Sequence, residues 1–188
     1  MRTRADILDV AWRLLAERGT HVSMAEIAEA VGLTRQAVYV HFRSRGGLLV
    51  ALVRRADARA EIHSRFAAAL ATPDARQRLD AFLRVWLAFV PTIHPVASSL
   101  MRARRDDPDA ARAWADRMTA LRHGFATLAA SLRRDGALAA PWTARAAAEY
   151  LWAGSSVQTW ELLAVDCGWG AAKTSKALRR SLAAAVLG

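Results

Sequence analysis

Residues 23–42 read SMAEIAEAVGLTRQAVYVHF, and this stretch decides the fold. Ser23 followed by Glu26 three positions later is a capping-box pattern, in which each residue's side chain meets the other's backbone N–H at a helix start. Met24, Ile27, Ala28 and Val31 then recur at helical spacing, and Gly32 ends the run. Thr34 can cap a second short helix that turns Val38 and Phe42 toward a core. Two short helices joined by Gly32-Leu33-Thr34 have the turn length and glycine placement of a helix-turn-helix. In such a pair the first helix braces across a duplex backbone and the second enters the major groove. The exposed positions predicted for the second helix are Arg35, Gln36, Ala37, Tyr39, Val40 and His41. Arginine pairs two ways with guanine, glutamine two ways with adenine, and a small apolar side chain touches the thymine methyl. Residues 34–45 hold three arginines (Arg35, Arg43 and Arg45) and no acid, the charge balance that phosphates require.

Outward from this stretch, apolar residues keep helical spacing and strand-like alternation is absent. The chain therefore reads as all-α, about nine helices. A three-helix head (residues 1–47) precedes a helical bundle (residues 48–188). Ile7, Val10, Ala11, Leu14 and Leu15 share one face of the first helix, which ends at Gly19. A long fourth helix is predicted over 45–71, with His63, Phe66 and Leu70 on its inner face. A fifth runs to about residue 90. Pro91 and Pro95 are expected to bracket a bend before a short helix at 96–105. Asp107-Pro108 reads as an N-cap followed by proline at the first helical position. The next helix carries Trp114, Met118, Leu121, Phe125, Leu128 and Leu132 and stops at Gly136. Two more helices, 143–165 and 171–187, flank a Gly168-Trp169-Gly170 turn.

The chain has 188 residues, of which 54% are hydrophobic, enough to bury a sizeable core. Its formal net charge is +10, which favours a polyanionic partner. The only lysines are Lys173 and Lys176, so nearly all of the positive charge is arginine. The single cysteine, Cys167, rules out an internal disulfide and any multi-cysteine zinc site. Asp6 and Asp9 interrupt the first apolar residues, so no secretory leader is read there. No uninterrupted apolar run reaches membrane-spanning length. These features predict a cytoplasmic protein with no membrane partner.

The pattern Ser23-x-x-x-Ile27-Ala28-x-x-x-Gly32-Leu33-Thr34-x-x-x-Val38-Tyr39-x-His41-Phe42-x-Ser44-Arg45-x-x-Leu48, preceded by Gly19, resembles the DNA-binding head of the TetR family over roughly residues 5–50. The Tyr-x-His-Phe element is its most specific part. The resemblance implies a dimeric helical repressor whose C-terminal body binds a small molecule. It puts Arg35, Gln36 and Ala37 at base-reading positions and Tyr39, His41 and Arg45 at phosphate-contacting positions. It sets Ser23 and Thr34 where helix ends meet the DNA backbone. Arg45 stands where lysine is commoner, and Gln36 where a small residue is common. Gly46-Gly47 replaces the usual acidic or helix-favouring residues, each glycine costing up to about 1 kcal/mol in a helix interior, so a start to the fourth helix that is loose until DNA is bound is expected.

For the body, candidates to line an effector pocket are Trp86, Phe89, His94, Met101, Trp114, Met118, Phe125, Trp152 and Gln158. They favour an apolar or aromatic effector. The last two helices resemble the family's dimerisation pair, with Leu151, Leu162, Leu163, Leu178, Leu182 and Val186 as the interface candidates. Such a dimer would prefer a pseudo-palindromic operator in double-stranded DNA.

An enzyme is disfavoured. Asp106-Asp107-Pro108-Asp109 fits a helix start better than a magnesium site. The five histidines show no ligand spacing, and neither a Gly-rich phosphate loop nor a G-x-S-x-G occurs. No cofactor or metal is expected. The alternative to a regulator is a sequence-indifferent, architectural DNA binder driven by net charge, which the three-residue reading surface argues against.

Overall fold

The computed structural model describes residues 3–188, and among these the secondary structure is helical apart from one isolated antiparallel bridge, Leu138 with Leu187. The helices are α1 (Arg4–Arg18), α2 (Met24–Val31), α3 (Arg35–Phe42), α4 (Arg45–Arg59), α5 (Ile62–Leu70), α6 (Ala75–Ala103), α7 (Pro108–Arg134), α8 (Ala144–Gly154), α9 (Val157–Glu161) and α10 (Gly170–Val186). Residues Gly19–His21 form a 3-10 turn, and Leu162–Asp166 a π-helical turn after α9.

The chain divides into two compact units. The first comprises the described residues up to Arg59 together with Ile93–Met118. Its core is built from Ile7, Leu8, Ala11 and Leu15 of α1, the apolar faces of α2 and α3, and Leu48, Leu49, Leu52 and Val53 of α4. Val96 and Leu100 of α6 and Ala110 and Ala113 of α7 complete it. Around this core Asp9 accepts from Arg55 and Arg59, and Asp116 pairs with Arg54 and Arg117.

The second unit comprises Ala60–Thr92 and Thr119–Gly188. Phe82 sits at its centre, stacked on Phe66 with 4.2 Å between centroids and edge-on to Phe125 at 5.2 Å. Arg78 is buried yet fully engaged: it donates to the carbonyls of Thr72 and Pro73 and to Ser131 Oγ, and pairs with Asp135 at 2.6 Å.

Three sequence expectations change, each for a reason of packing. The helix predicted over 45–71 stops at Arg59, and Glu61 takes a left-handed φ of 49° before α5 begins. The interruption rephases the chain so that Ile62 is buried and His63 exposed, whereas an unbroken helix would turn His63 inward. Pro91 and Pro95 leave α6 continuous. Leu87, Phe89 and Val90 before the prolines and Val96 and Leu100 after them are all buried. Burial of that order, at about 1.5–3 kcal/mol per large side chain, outweighs a proline cost of ~3 kcal/mol. The helix predicted over 143–165 breaks at Ser155-Ser156. There the Ser155 carbonyl accepts from Trp86 Nε1 at 2.7 Å, and Ser156 caps α9 by accepting from Thr159 N. By length and composition α6 alone among the described helices could cross a bilayer, but its apolar residues are those of the two cores.

Candidate nucleic-acid interface

Local chemistry sets α2 and α3. Ser23 Oγ accepts from Glu26 N at 3.2 Å, and the Glu26 carboxylate accepts from Ser23 N at 2.8 Å, closing the capping box. Arg18 pairs with the same carboxylate at 2.5 Å. The Ser23 backbone N–H, the Ser23 hydroxyl and the Arg18 guanidinium together lower the Glu26 carboxyl to about 2. Gly32 ends α2 in the left-handed region (φ 77°, ψ 37°), which favours glycine. Thr34 Oγ1 then accepts from Ala37 N at 3.2 Å and starts α3.

Val38 and Phe42 are buried and anchor α3, while Arg35, Gln36, Val40 and His41 are exposed and Ala37 and Tyr39 are half-buried. Val40 is 75% exposed, an apolar side chain largely open to solvent in the middle of the outer face of α3. Tyr39 packs against the head core and carries Arg35 on its outer side. The guanidinium lies 5.4 Å from the ring centroid, and its Nη2 donates to the Tyr39 hydroxyl at 3.4 Å. Arg35 stands at the first position of α3, where the helix dipole disfavours a cation. A stacked guanidinium there has its charge turned outward for a partner such as phosphate or guanine. Ser23 and Thr34 are exposed at the starts of α2 and α3, the ends that present free N–H groups to phosphates.

Two further cations lie beside this face, Arg4, which the sequence reading missed, and Arg43, which it counted only as charge. Arg4 lies over the Phe42 ring, 4.8 Å from its centroid, and brings positive charge from the start of α1 to the end of α3. Arg43 is exposed and closes α3 with a left-handed φ of 59°. The available signal for Arg4 was its place, like that of Arg35, at a dipole-disfavoured first helical position.

Arg45 has a different environment from the other site residues. Its guanidinium pairs with Asp107 at 2.8 Å, approaches Asp109 at 3.9 Å and donates to the Thr20 carbonyl. Asp107 in turn caps α7 by accepting from Asp109 N and Ala110 N. Partial burial raises the Asp107 carboxyl, but the Ala110 N–H and Arg45 outweigh it and hold the group below the usual range. Gly46 and Gly47 are sites of close approach. A Cβ on Gly46 would lie 2.5 Å from Asp109 Oδ1, and one on Gly47 would fall onto the Phe42 carbonyl oxygen. Both positions therefore leave little room for a side chain, and Ser44 Oγ accepts from Gly47 N at 3.0 Å.

The residues proposed for an effector pocket are dispersed. In the second unit Trp86, Phe89 and Phe125 are buried core, Gln158 is half-buried on α9, and Trp152 lines a cleft between α7 and α8. In the first unit His94 lines another cleft, of about 980 Å³, beside Thr20, Ser99 and Asp107. Met101, Trp114 and Met118 are half-buried, and the Arg104 guanidinium lies over the Trp114 ring. Of the proposed dimer residues, Leu151, Leu178, Leu182 and Val186 are buried within their own unit, Leu163 is half-buried, and Leu162 is 58% exposed.

Residues 7–52 match the family model described as bacterial regulatory proteins, tetR family. The chain is 33% identical over 121 residues to the HTH-type transcriptional repressor Rv1474c of Mycobacterium tuberculosis, a match covering 63% of this chain and 59% of that protein. It is 49% identical over 47 residues to the HTH-type transcriptional regulator AcrR of Shigella flexneri, covering 24% of this chain and 22% of that one. The chain thus spans 59% of the length of the first of these relatives. Among solved structures it is similar to a regulator from Saccharomonospora viridis in complex with choline, with TM-score 0.78, 23% identity and coverage of 98% and 97% of the two chains. It is also similar to FadR of Bacillus subtilis in complex with stearoyl-CoA, with TM-score 0.79, 16% identity and coverage of 97% and 99%. These relatives lend no support to a sequence-indifferent architectural binder. The chain is therefore similar to tetR-family regulators over residues 7–52, and it has the all-helical fold of the solved regulators.

Proposed function

We propose that the chain is a transcriptional repressor that reads a pseudo-palindromic operator as a homodimer and is released from it by a small, largely apolar or aromatic effector. The observation that carries this reading is the outer face of α3. Arg35, Gln36, Val40 and His41 are exposed together on a helix whose inner residues, Val38 and Phe42, are locked in the head core. Arg35 and Gln36 read base edges beside Ala37. His41 and Tyr39, with Ser23 and Thr34, meet the flanking phosphates. Arg45 serves this surface by holding the start of α4 to Asp107.

A homodimer sets two such helices roughly 34–36 Å apart, one turn of duplex. Exposed Leu162 and Val165 (53%), with Trp169 nearby in sequence, supply an apolar face for the second copy. An effector that prefers the protein conformation with wrongly spaced heads weakens operator binding by linkage. The reading places the protein in the cytoplasm and gives it no catalytic, cofactor or membrane role.

The test is selection of duplexes from a random pool by the full chain, repeated with a library of candidate effectors. A two-fold symmetric consensus is expected, and Arg35→Ala relaxes discrimination by about 1–3 kcal/mol at one position of each half-site. Equal retention of all duplexes, with only a steep salt dependence, would overturn the proposal.

A further inference from the structure

The cleft between α7 and α8 has a chemistry that the operator reading does not use. It has a volume of about 440 Å³, and Ala126 of α7 and Ala144 and Ala148 of α8 form small apolar walls. That volume lies within the range of small-molecule sites. Arg122 of α7 and Trp152 of α8 both line it and pack on each other, with the guanidinium over the ring, 4.3 Å from its centroid. Arg122 is exposed and makes no ion pair among the described residues. The Trp152 indole N–H is buried and has no acceptor among the described residues. A buried indole N–H ordinarily finds a partner, so one orphan donor beside an unpaired guanidinium marks a place for an acceptor. The carboxylate in the cleft, Glu149, is already paired with Arg145 at 3.0 Å. The first turn of α8 lines the same cleft and adds the positive end of its dipole.

We propose that this cleft binds a small organic carboxylate with an apolar body. The carboxylate takes the Arg122 guanidinium as a bidentate partner and draws it off the ring. The uncovered Trp152 N–H then donates to the same carboxylate, and the apolar body lies against Ala126 and Ala148. The inference stands apart from operator binding, because occupancy is read without DNA.

Titration calorimetry of the full chain with benzoate and octanoate, and with neutral benzamide as control, tests it. One carboxylate per chain is expected to bind, with benzamide silent. Arg122→Ala should weaken binding about tenfold or more, and Arg122→Lys should restore part of it. Arg133→Ala, an exposed cation on the same helix outside the cleft, should bind as the parent does. In a chain labelled at its indole nitrogens, the N–H resonance that Trp152→Phe removes should move on adding ligand. No binding of either carboxylate at millimolar concentration, equal binding by Arg122→Ala, equal binding of benzamide, or an unmoved Trp152 resonance would each overturn the proposal.

Discussion

Gly47 shows how one position can have opposite values in a sequence and in a fold. Helix propensity alone predicts that Gly47→Ala stabilises α4 by up to about 1 kcal/mol. The added Cβ, however, meets the carbonyl oxygen of Phe42, which is backbone and yields little. Overpacking of that kind costs about 1–3 kcal/mol, so the variant is expected to unfold at lower urea concentration than the parent. A midpoint that rises would show that the close approach relaxes freely. Arg45 makes a second residue-scale case. Arg45→Ala and Asp107→Asn each remove a charge-assisted hydrogen bond in a half-buried setting, a loss of about 1–3 kcal/mol. Because both act on one contact, the double variant should lose clearly less than the sum, whereas additive losses would mean that the pair is uncoupled.

At the scale of elements, caps and interruptions decide where helices run. The capping box of α2 makes the protein sensitive to acid. Glu26 titrates near 2 in the folded protein, against an ordinary 4.5. A depressed carboxyl contributes stability that is present above the ordinary value and lost as pH falls from about 4.5 toward 2. Asp9, Asp107 and Asp116 are lowered as well and add to the same slope. Thermal unfolding across that window should therefore show a falling midpoint, with a shallower fall in Glu26→Gln. An unchanged slope in the variant would show that the box is already open in solution. In α6 the two prolines do not end the helix, because apolar side chains on both sides of them are buried. At Ser155-Ser156, directly after Gly154, a helix ends where Trp86 takes the Ser155 carbonyl and Ser156 supplies a new cap.

For the whole molecule, the exposed apolar side chains of the second unit carry the dimer proposal. Leu151, Leu178, Leu182 and Val186 have intramolecular neighbours, so they hold α8 to α10 rather than wait for a second copy. Leu162 and Val165 are exposed and are the side chains that the proposed dimer would bury. Leu162→Asp combined with Val165→Asp is expected to leave the fold intact by circular dichroism and to give a monomer in sedimentation. Operator affinity should fall by about tenfold or more, as avidity is lost. A variant that remains dimeric would move the interface elsewhere.

The head was legible in the sequence because its determinants are local. The Ser23–Glu26 box, Gly32 and the Thr34 cap act over three or four residues, and the inward spacing of Ile27, Val31, Val38 and Phe42 needs no distant partner. What lay beyond the sequence came from residues far apart along the chain. Asp107, 62 positions away, takes the Arg45 guanidinium, and Ser155, 69 positions away, accepts from Trp86. Burial likewise kept α6 whole through its prolines and rephased the chain at Glu61. Helix starts and the exposed side of α3 follow from short-range hydrogen bonding and periodicity. Which helix persists, and which charge is left free for a partner, is decided by the free energy of packing, which exists only once the chain has folded.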